Sequence, residues 1–352
     1  MYNVGMVFGK FYPLHNGHVN MINKASSQCD KLYVVLSYRE QTITESEDKY
    51  GFKPVSLKTQ LKWLYYTFKD MNHIIIKYID ESSIPKYPEG CEQWSNLIKE
   101  VIGEKIDAIF TADIEYEETF KITFSESKFV LMDPNRDEFP ICASLIKKEG
   151  IYKYWEFLPA VVRRDFVFKV VIMGVESTGK TTLCKYLSKY FSTAYVGEYG
   201  RDYVINELGG NELALTSEDL ERIAYGHKIR EYEEEKRANK LLIIDSNAGI
   251  TQLYHYLYEK NNNKLIDTII KHELYDLILY IRPDKIEDIN WVDDGVRRHC
   301  SVDDKNFSQN ILDLIVNHYY EDSGKVKILN GNYYENFIKA VDIIKIKMTK
   351  GC

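Results

Sequence analysis

Two segments of this 352-residue chain carry residue types spaced for phosphate chemistry. One is Gly174-Val-Glu-Ser-Thr-Gly-Lys-Thr181, which follows the apolar run 168–173 and precedes a helical pattern. In that setting Gly174 and Gly179 let backbone N–H groups approach phosphate oxygens, Lys180 reaches the β/γ-phosphates, and Thr181 offers a hydroxyl to Mg²⁺. Glu176, Ser177, Thr178 and Thr182 complete the expected cradle, and ATP is its expected ligand. The other segment is Gly9-Lys-Phe-Tyr-Pro-Leu-His-Asn-Gly-His18, which leaves an apolar run and enters a helix near Gly17. It puts His15 and His18 at a helix N-terminus, where unpaired N–H groups and the helix dipole attract phosphate and imidazoles can donate to it. Gly9, Phe11 and Gly17 are its expected phosphate contacts, with Pro13 fixing the turn.

Further candidates stand at the ends of apolar runs. Asp245, closing 241–245, is placed to hold Mg²⁺ directly or through water, because ligands gather at the carboxyl ends of parallel strands. A helix cap is the plainer reading of the same residue. Glu198-Tyr-Gly-Arg-Asp202 supplies carboxylates that could orient an attacking hydroxyl and an arginine, Arg201, that could balance transition-state charge. A surface ion pair fits that spacing equally well. Arg297, in the polar connection before a helix expected over 306–317, is a candidate lid arginine, with Arg298 as its substitute. The general base is open among Asp245, Glu198 and Asp202.

The elements that must position these residues are legible as short apolar runs alternating with amphipathic helices, the pattern of parallel sheets covered by helices. Strands are expected over 4–8, 32–37, 74–78, 108–111 and 129–132, and a second series over 168–173, 241–245, 277–281 and 326–329. Ser56 is expected to cap a helix carrying Leu57, Leu61, Leu64 and Phe68. Pro159 interrupts the pattern near 157–166, dividing the chain into domains 1–163 and 164–352. The charge-rich stretch 231–240 reads as the solvated face of a helix.

Composition is that of an ordinary globular protein, 45% hydrophobic and 28% charged. The net charge of -7 opposes general nucleic-acid or anionic-lipid binding. Six scattered cysteines form no metal-ligand spacing and suit a reduced, cytoplasmic setting. No run approaches the ~18 apolar residues of a membrane span, and the N-terminus lacks a leader pattern. A homo-oligomer is compatible with all of this.

The G-x-F-x-P-x-H-x-G-H string matches the signature of the nucleotidylyltransferase superfamily, in which a substrate phosphate attacks the α-phosphate of a nucleoside triphosphate. With the P-loop following it, the chain resembles the bifunctional NadR-type enzymes, which fuse nicotinamide-mononucleotide adenylyltransferase to nicotinamide-riboside kinase. The resemblance extends through Tyr87-Pro-Glu-Gly with Trp94-Ser95, Glu198 to Val204, Leu208-Gly-Gly210 and Trp291 to Arg297, covering almost the whole length. It implies a Rossmann-like nucleotidylyltransferase fold followed by a P-loop kinase fold. It also implies a salvage sequence from nicotinamide riboside through nicotinamide mononucleotide to NAD, with ATP as co-substrate and Mg²⁺ as cofactor. The resemblance implies Trp94 as a stacking partner for the nicotinamide ring, with plain core packing an equally fitting reading of the same residue, and Asp202 and Asn247 as contacts for the nicotinamide substrate. Some members carry a helix-turn-helix domain ahead of the first enzyme; here the first strand opens the chain, so a DNA-binding role is not expected.

Two departures from the family pattern stand out. The second phosphate string of the superfamily, I-S-x-T-x-I-R, here reads Ile141-Cys-Ala-Ser-Leu-Ile-Lys147. Cys142 replaces a hydroxyl with a weak thiol donor and Lys147 replaces a bidentate arginine with a point charge, while Ser144 keeps a hydroxyl. Asn247 stands where relatives often show a second aspartate. A riboside kinase with a weakened adenylyltransferase acting as a nucleotide sensor is therefore the alternative expectation.

Overall fold

The structure, a computed structural model, describes residues 1–283 and 302–350. It divides into two compact units, Met1–Phe166 and Val167–Lys350. The first runs β1 (Tyr2–Gly9), α1 (Asn16–Ser26), β2 (Cys29–Tyr38), α2 (Glu40–Tyr50), α3 (Leu57–Thr67), β3 (Ile74–Asp80), α4 (Cys91–Ile102), β4 (Ala108–Thr111), α5 (Glu117–Thr123), β5 (Lys128–Leu131), α6 (Ala143–Glu149) and α7 (Ala160–Asp165). Its sheet is wholly parallel in the order β3-β2-β1-β4-β5. Buried on both faces, β1 carries Met6 and Val7 at 0% exposure, which is why the strand reads as an unbroken apolar run. Ser56 caps α3 by accepting from the Thr59 N–H.

Order reverses beside β1, where β2 lies on one side and β4 on the other. A crevice opens at such a switch point, outside the carboxyl ends of the strands, and the His15/His18 segment leaves β1 directly into it. The unit ends three residues later than the expected division. Trp63 is fully buried and its indole N–H donates to Asp165 Oδ2 at 2.6 Å, holding α7 against α3. Pro159 thus serves as the N-cap residue of a last helix of this unit, and the division falls after that helix.

The second unit runs β6 (Phe168–Met173), α8 (Lys180–Tyr190), β7 (Tyr195–Val196), α9 (Tyr199–Glu207), α10 (Ser217–Glu234), β8 (Leu241–Asp245), α11 (Ala248–Glu259), α12 (Lys264–Lys271), β9 (Leu277–Ile281), α13 (Val302–Tyr319), β10 (Val326–Leu329) and α14 (Tyr333–Lys350). Its sheet is also parallel, in the order β10-β9-β6-β8-β7, and β6 occupies the switch point between β8 and β9. One residue of the charge-rich stretch escapes the solvated reading. Glu231 is 0% exposed and accepts from the ammonium groups of Lys169 and Lys228, both at 3.0 Å.

Candidate active sites

In the first unit, His15 is the N-cap residue of α1 and His18 its third helical residue. The pair form a reciprocal cap: His15 Nδ1 accepts from the His18 N–H and His18 Nδ1 accepts from the His15 N–H, each at 3.4 Å. Their rings stack 3.6 Å apart at 23°. With each Nδ1 serving as acceptor, the neutral ring keeps its proton on Nε2. Burial pushes the His15 pKa well below its ordinary value, aided by His18 and Arg136; burial and then Arg136 push that of His18 down to about 3. The result is two neutral N–H donors at the wall of one cavity, and His15 Nε2 is buried without a partner. A phosphate oxygen would satisfy it.

The cavity holds about 690 Å³ and is lined by Gly9, Gly17, Trp94 and Ser144 along with the histidines. Trp94 on α4 donates its indole N–H to Ser37 Oγ at 3.1 Å, lies nearly parallel to Phe120 (7°, centroids 5.8 Å apart) and meets Phe8 edge-on. These contacts fix the indole against the core while leaving it as a wall of the cavity. Phe11, expected at phosphate, is 1% exposed and outside the lining; it backs the site with its ring edge-on to that of His18. Ser144 Oγ lies 3.1 Å from Cys142 Sγ at the start of α6. Lys147, one turn on, is also outside the lining: Ser46 on α2 takes its ammonium at 3.3 Å and the Tyr12 ring lies beneath it.

Positive charge reaches the cavity from residues the sequence reading passed over. Lys10, Arg39 and Arg136 all line it. Arg39, 8% exposed, is locked by Glu81 Oε1 at 3.0 Å and the Ile84 carbonyl at 2.8 Å. Arg136 pairs with Asp113 at 3.3 Å. The available signal was position, since Lys10 lies inside the histidine motif and Arg39 directly follows β2.

In the second unit the loop after β6 wraps into α8. Gly179 caps that helix at φ +86°, and a Cβ there would fall 2.0 Å from the Tyr333 ring, so glycine is required twice over. Lys180, 6% exposed, folds across the loop to donate to the Val175 carbonyl at 2.9 Å, and Thr178 donates to the same oxygen at 2.8 Å. Gly174 also belongs to this loop, where a Cβ would crowd Thr178 and the Ile281 carbonyl. Register places Asp245 opposite Ile172, and Thr181 Oγ1 donates to Asp245 Oδ2 at 2.5 Å. Asp245 is 0% exposed, its Oδ1 has no partner, and burial first, then Glu198, push its pKa up. An orphaned carboxylate oxygen beside a hydroxyl is a hard-oxygen pair suited to Mg²⁺. Among the described residues no cluster of three metal-ligating side chains occurs. Glu176 accepts from Tyr254 OH at 2.8 Å, and Thr182 is exposed. Ser177 sits at φ +59°.

Glu198 and Arg201 meet at 3.5 Å and line a second cavity of about 50 Å³ together with Tyr199, His227, Ser246 and Tyr254. Asp202 does not join them: Arg230 holds it at 2.7 Å, outside that lining. Asn247 borders the cavity, yet both its amide hydrogens are spent, on Glu273 at 3.0 Å and Tyr320 OH at 2.8 Å, and its Oδ1 caps α11. The side chain expected at the substrate is thus held by three bonds within the protein. His227 and Ser246 line the cavity without having been singled out in the sequence; Ser246 stands between two residues that were, and His227 falls in no motif. Arg297 and Arg298 lie outside the described residues.

Two parallel α/β units, each with a phosphate-directed loop leaving its switch-point strand, define a two-part nucleotide transferase. A family model described as an AAA domain matches residues 169–333. The trifunctional NAD biosynthesis/regulator protein NadR of Escherichia coli (strain K12) is 34% identical over 352 residues, covering 98% of this chain and 83% of that protein. The chain belongs to the NadR family. A phosphopantetheine adenylyltransferase of Mycoplasma mycoides subsp. mycoides SC is 26% identical over 145 residues, covering 41% of this chain and 94% of that one. The crystal structure of NadR protein in complex with NAD and AMP-PNP matches with a TM-score of 0.77 at 23% identity, covering 99% of this chain and 96% of that one, a likeness of fold. Among the described residues, no helix is long and apolar enough to cross a membrane.

Proposed function

We propose that the second unit transfers the γ-phosphoryl group of ATP to the 5′-hydroxyl of nicotinamide riboside, and that the first unit then joins the mononucleotide formed to AMP from a second ATP. The second step makes one P–O bond at the α-phosphorus, breaks the α–β bridge and releases pyrophosphate, giving NAD. The observation that carries the reading is the pairing, within one chain of the NadR family, of a histidine-capped helix at one switch point with a P-loop at another. The four described cysteines, Cys29, Cys91, Cys142 and Cys184, are free thiols, and a cytoplasmic enzyme drawing on the ATP pool accommodates them.

In the kinase unit, Lys180 exchanges the Val175 carbonyl for phosphate oxygens, and Thr181 with Asp245 would hold Mg²⁺, which supplies charge neutralisation at the β/γ-phosphates. Glu198, which lines the second cavity beside Arg201, is the carboxylate assigned to orient the acceptor hydroxyl, since Asp202 lies outside that lining and Asp245 is bonded to the P-loop threonine. In the adenylyltransferase unit the attacking phosphate is already anionic, so the protein aligns it and stabilises charge. Nε2–H of His15 and His18, with Lys10 and Arg136, does that work at the triphosphate, and Trp94 offers its face to the cationic nicotinamide ring.

The displacement of Lys147 toward Ser46 favours a second reading, a kinase whose first unit binds nucleotides with little turnover. One experiment separates the two: purified chain is given nicotinamide riboside and Mg-ATP, and the products are resolved by chromatography. Mononucleotide followed by NAD is expected; mononucleotide without dinucleotide selects the sensor, and neither product overturns both.

A further inference from the structure

Among the described residues, four buried polar atoms of the second unit have no hydrogen-bond partner: Asp245 Oδ1, His227 Nε2, Ser246 Oγ and Gln309 Oε1. Native proteins rarely leave such groups bare, and those that remain bare mark places where a ligand completes the structure. Asp245 is accounted for at the phosphate site. Gln309, on α13, is outside the lining of the Glu198 cavity, which leaves His227 and Ser246. His227, on α10, and Ser246, directly after β8, are each 5% exposed and line the same cavity as Glu198.

We infer that His227 and Ser246 form a recognition pair for a ribose hydroxyl of the nucleoside acceptor, making the enzyme selective for ribosides over deoxyribosides. This rests on the riboside-kinase reading. The chemistry is complementary. The unpartnered Nε2 of a neutral His227 ring can meet a hydroxyl as acceptor or donor, and the Ser246 hydroxyl can take the complementary part. Placement selects the sugar over the nicotinamide ring. Ser246 adjoins Asp245, whose carboxylate is bonded to the P-loop threonine, so whatever meets Ser246 lies beside the phosphoryl-transfer locus. The part of a riboside that must come there is its ribose. The remaining walls, with Tyr199, Tyr254, Leu220 and Ile223, offer flat apolar surface to the ring.

The test compares kcat/KM for nicotinamide riboside with that for its 2′-deoxy and 3′-deoxy analogues, in the full chain. Wild type is expected to prefer the riboside over one analogue by ~10- to 100-fold, the range for a buried hydroxyl left unpaired. In Ser246→Ala and His227→Phe that preference should fall to within ~3-fold, as expected when the protein half of a single hydrogen bond is already gone. His227→Gln, which restores both an acceptor and a donor, should recover part of it. The ratio is internal to each preparation, so a partly folded variant still reports. For a variant with no turnover, calorimetric affinities for the three ligands give the same comparison. Variants that keep the wild-type ratio, or a wild type that treats all three substrates alike, overturn the proposal while leaving the kinase reading intact. A wild type that phosphorylates no nicotinamide riboside overturns the kinase reading itself.

Discussion

At the scale of single residues, the stacked histidines show how a binding group is kept neutral by its own backbone. Each Nδ1 is occupied by the other residue's N–H, so a second proton on either ring would be buried, against its neighbour and near Arg136. This has a consequence for stability. In the unfolded chain both residues take up protons as pH falls through about 6.5, whereas folded His18 resists until about 3. The unfolded state therefore binds more protons across that window, and folding stability is lost on acidification. Calorimetry of the full chain should show the melting temperature of the first unit falling between pH 7 and pH 5, with a smaller fall in His18→Asn. An equal fall in both would show that His18 is not the group responsible. Lys180→Ala acts at the other site: it should lower mononucleotide formation at least ~10³-fold, comparable to loss of a transition-state cation, while adenylylation of supplied mononucleotide proceeds. Loss of both in a folded protein would contradict the assignment of one step to each unit.

At the scale of elements, α6 carries the departures from the family pattern, and the structure separates them. Ser144 reaches the cavity, but Lys147 is drawn to Ser46 on α2, so positive charge comes from Lys10 and Arg136. Cys142→Ser with Lys147→Arg restores the superfamily string; a guanidinium can bridge two oxygens where an ammonium cannot. The double variant should raise adenylyltransferase kcat by ~3- to 10-fold, worth about one charge-assisted hydrogen bond, and an unchanged kcat would mean that Lys10 and Arg136 already suffice. The strands were legible because parallel strands buried on both faces read as apolar runs, and Asp245 was legible because it ends one. Arg39 and Arg136 were not, since their value comes from which strand ends the sheet order brings together, and no local pattern encodes that. The fate of Asn247 was equally hidden: only packing reveals Glu273 and Tyr320 waiting for its two amide hydrogens. Nor could the short helix after Pro159 be assigned to the first unit without the Trp63–Asp165 bond that fastens it there.

At the scale of the whole molecule, each unit has its own parallel sheet, its own switch point and its own phosphate loop, and the product of one proposed reaction is the substrate of the other. Nothing in that chemistry requires the two steps to occur on the same molecule, because nicotinamide mononucleotide is a small, water-soluble compound that can diffuse from one chain to another. Full-length Lys180→Ala should make no NAD from nicotinamide riboside for want of phosphorylation, and full-length His18→Asn should accumulate mononucleotide. Mixed in equal amounts with Mg-ATP, the two defective chains should make NAD, after a lag that shortens as protein concentration rises. A mixture that accumulates mononucleotide without NAD would mean that Lys180→Ala has damaged the first unit as well. NAD formed with no lag at any concentration would mean that the intermediate passes between sites without release. The lag therefore measures whether fusion of the units does more than place two independent enzymes in one chain.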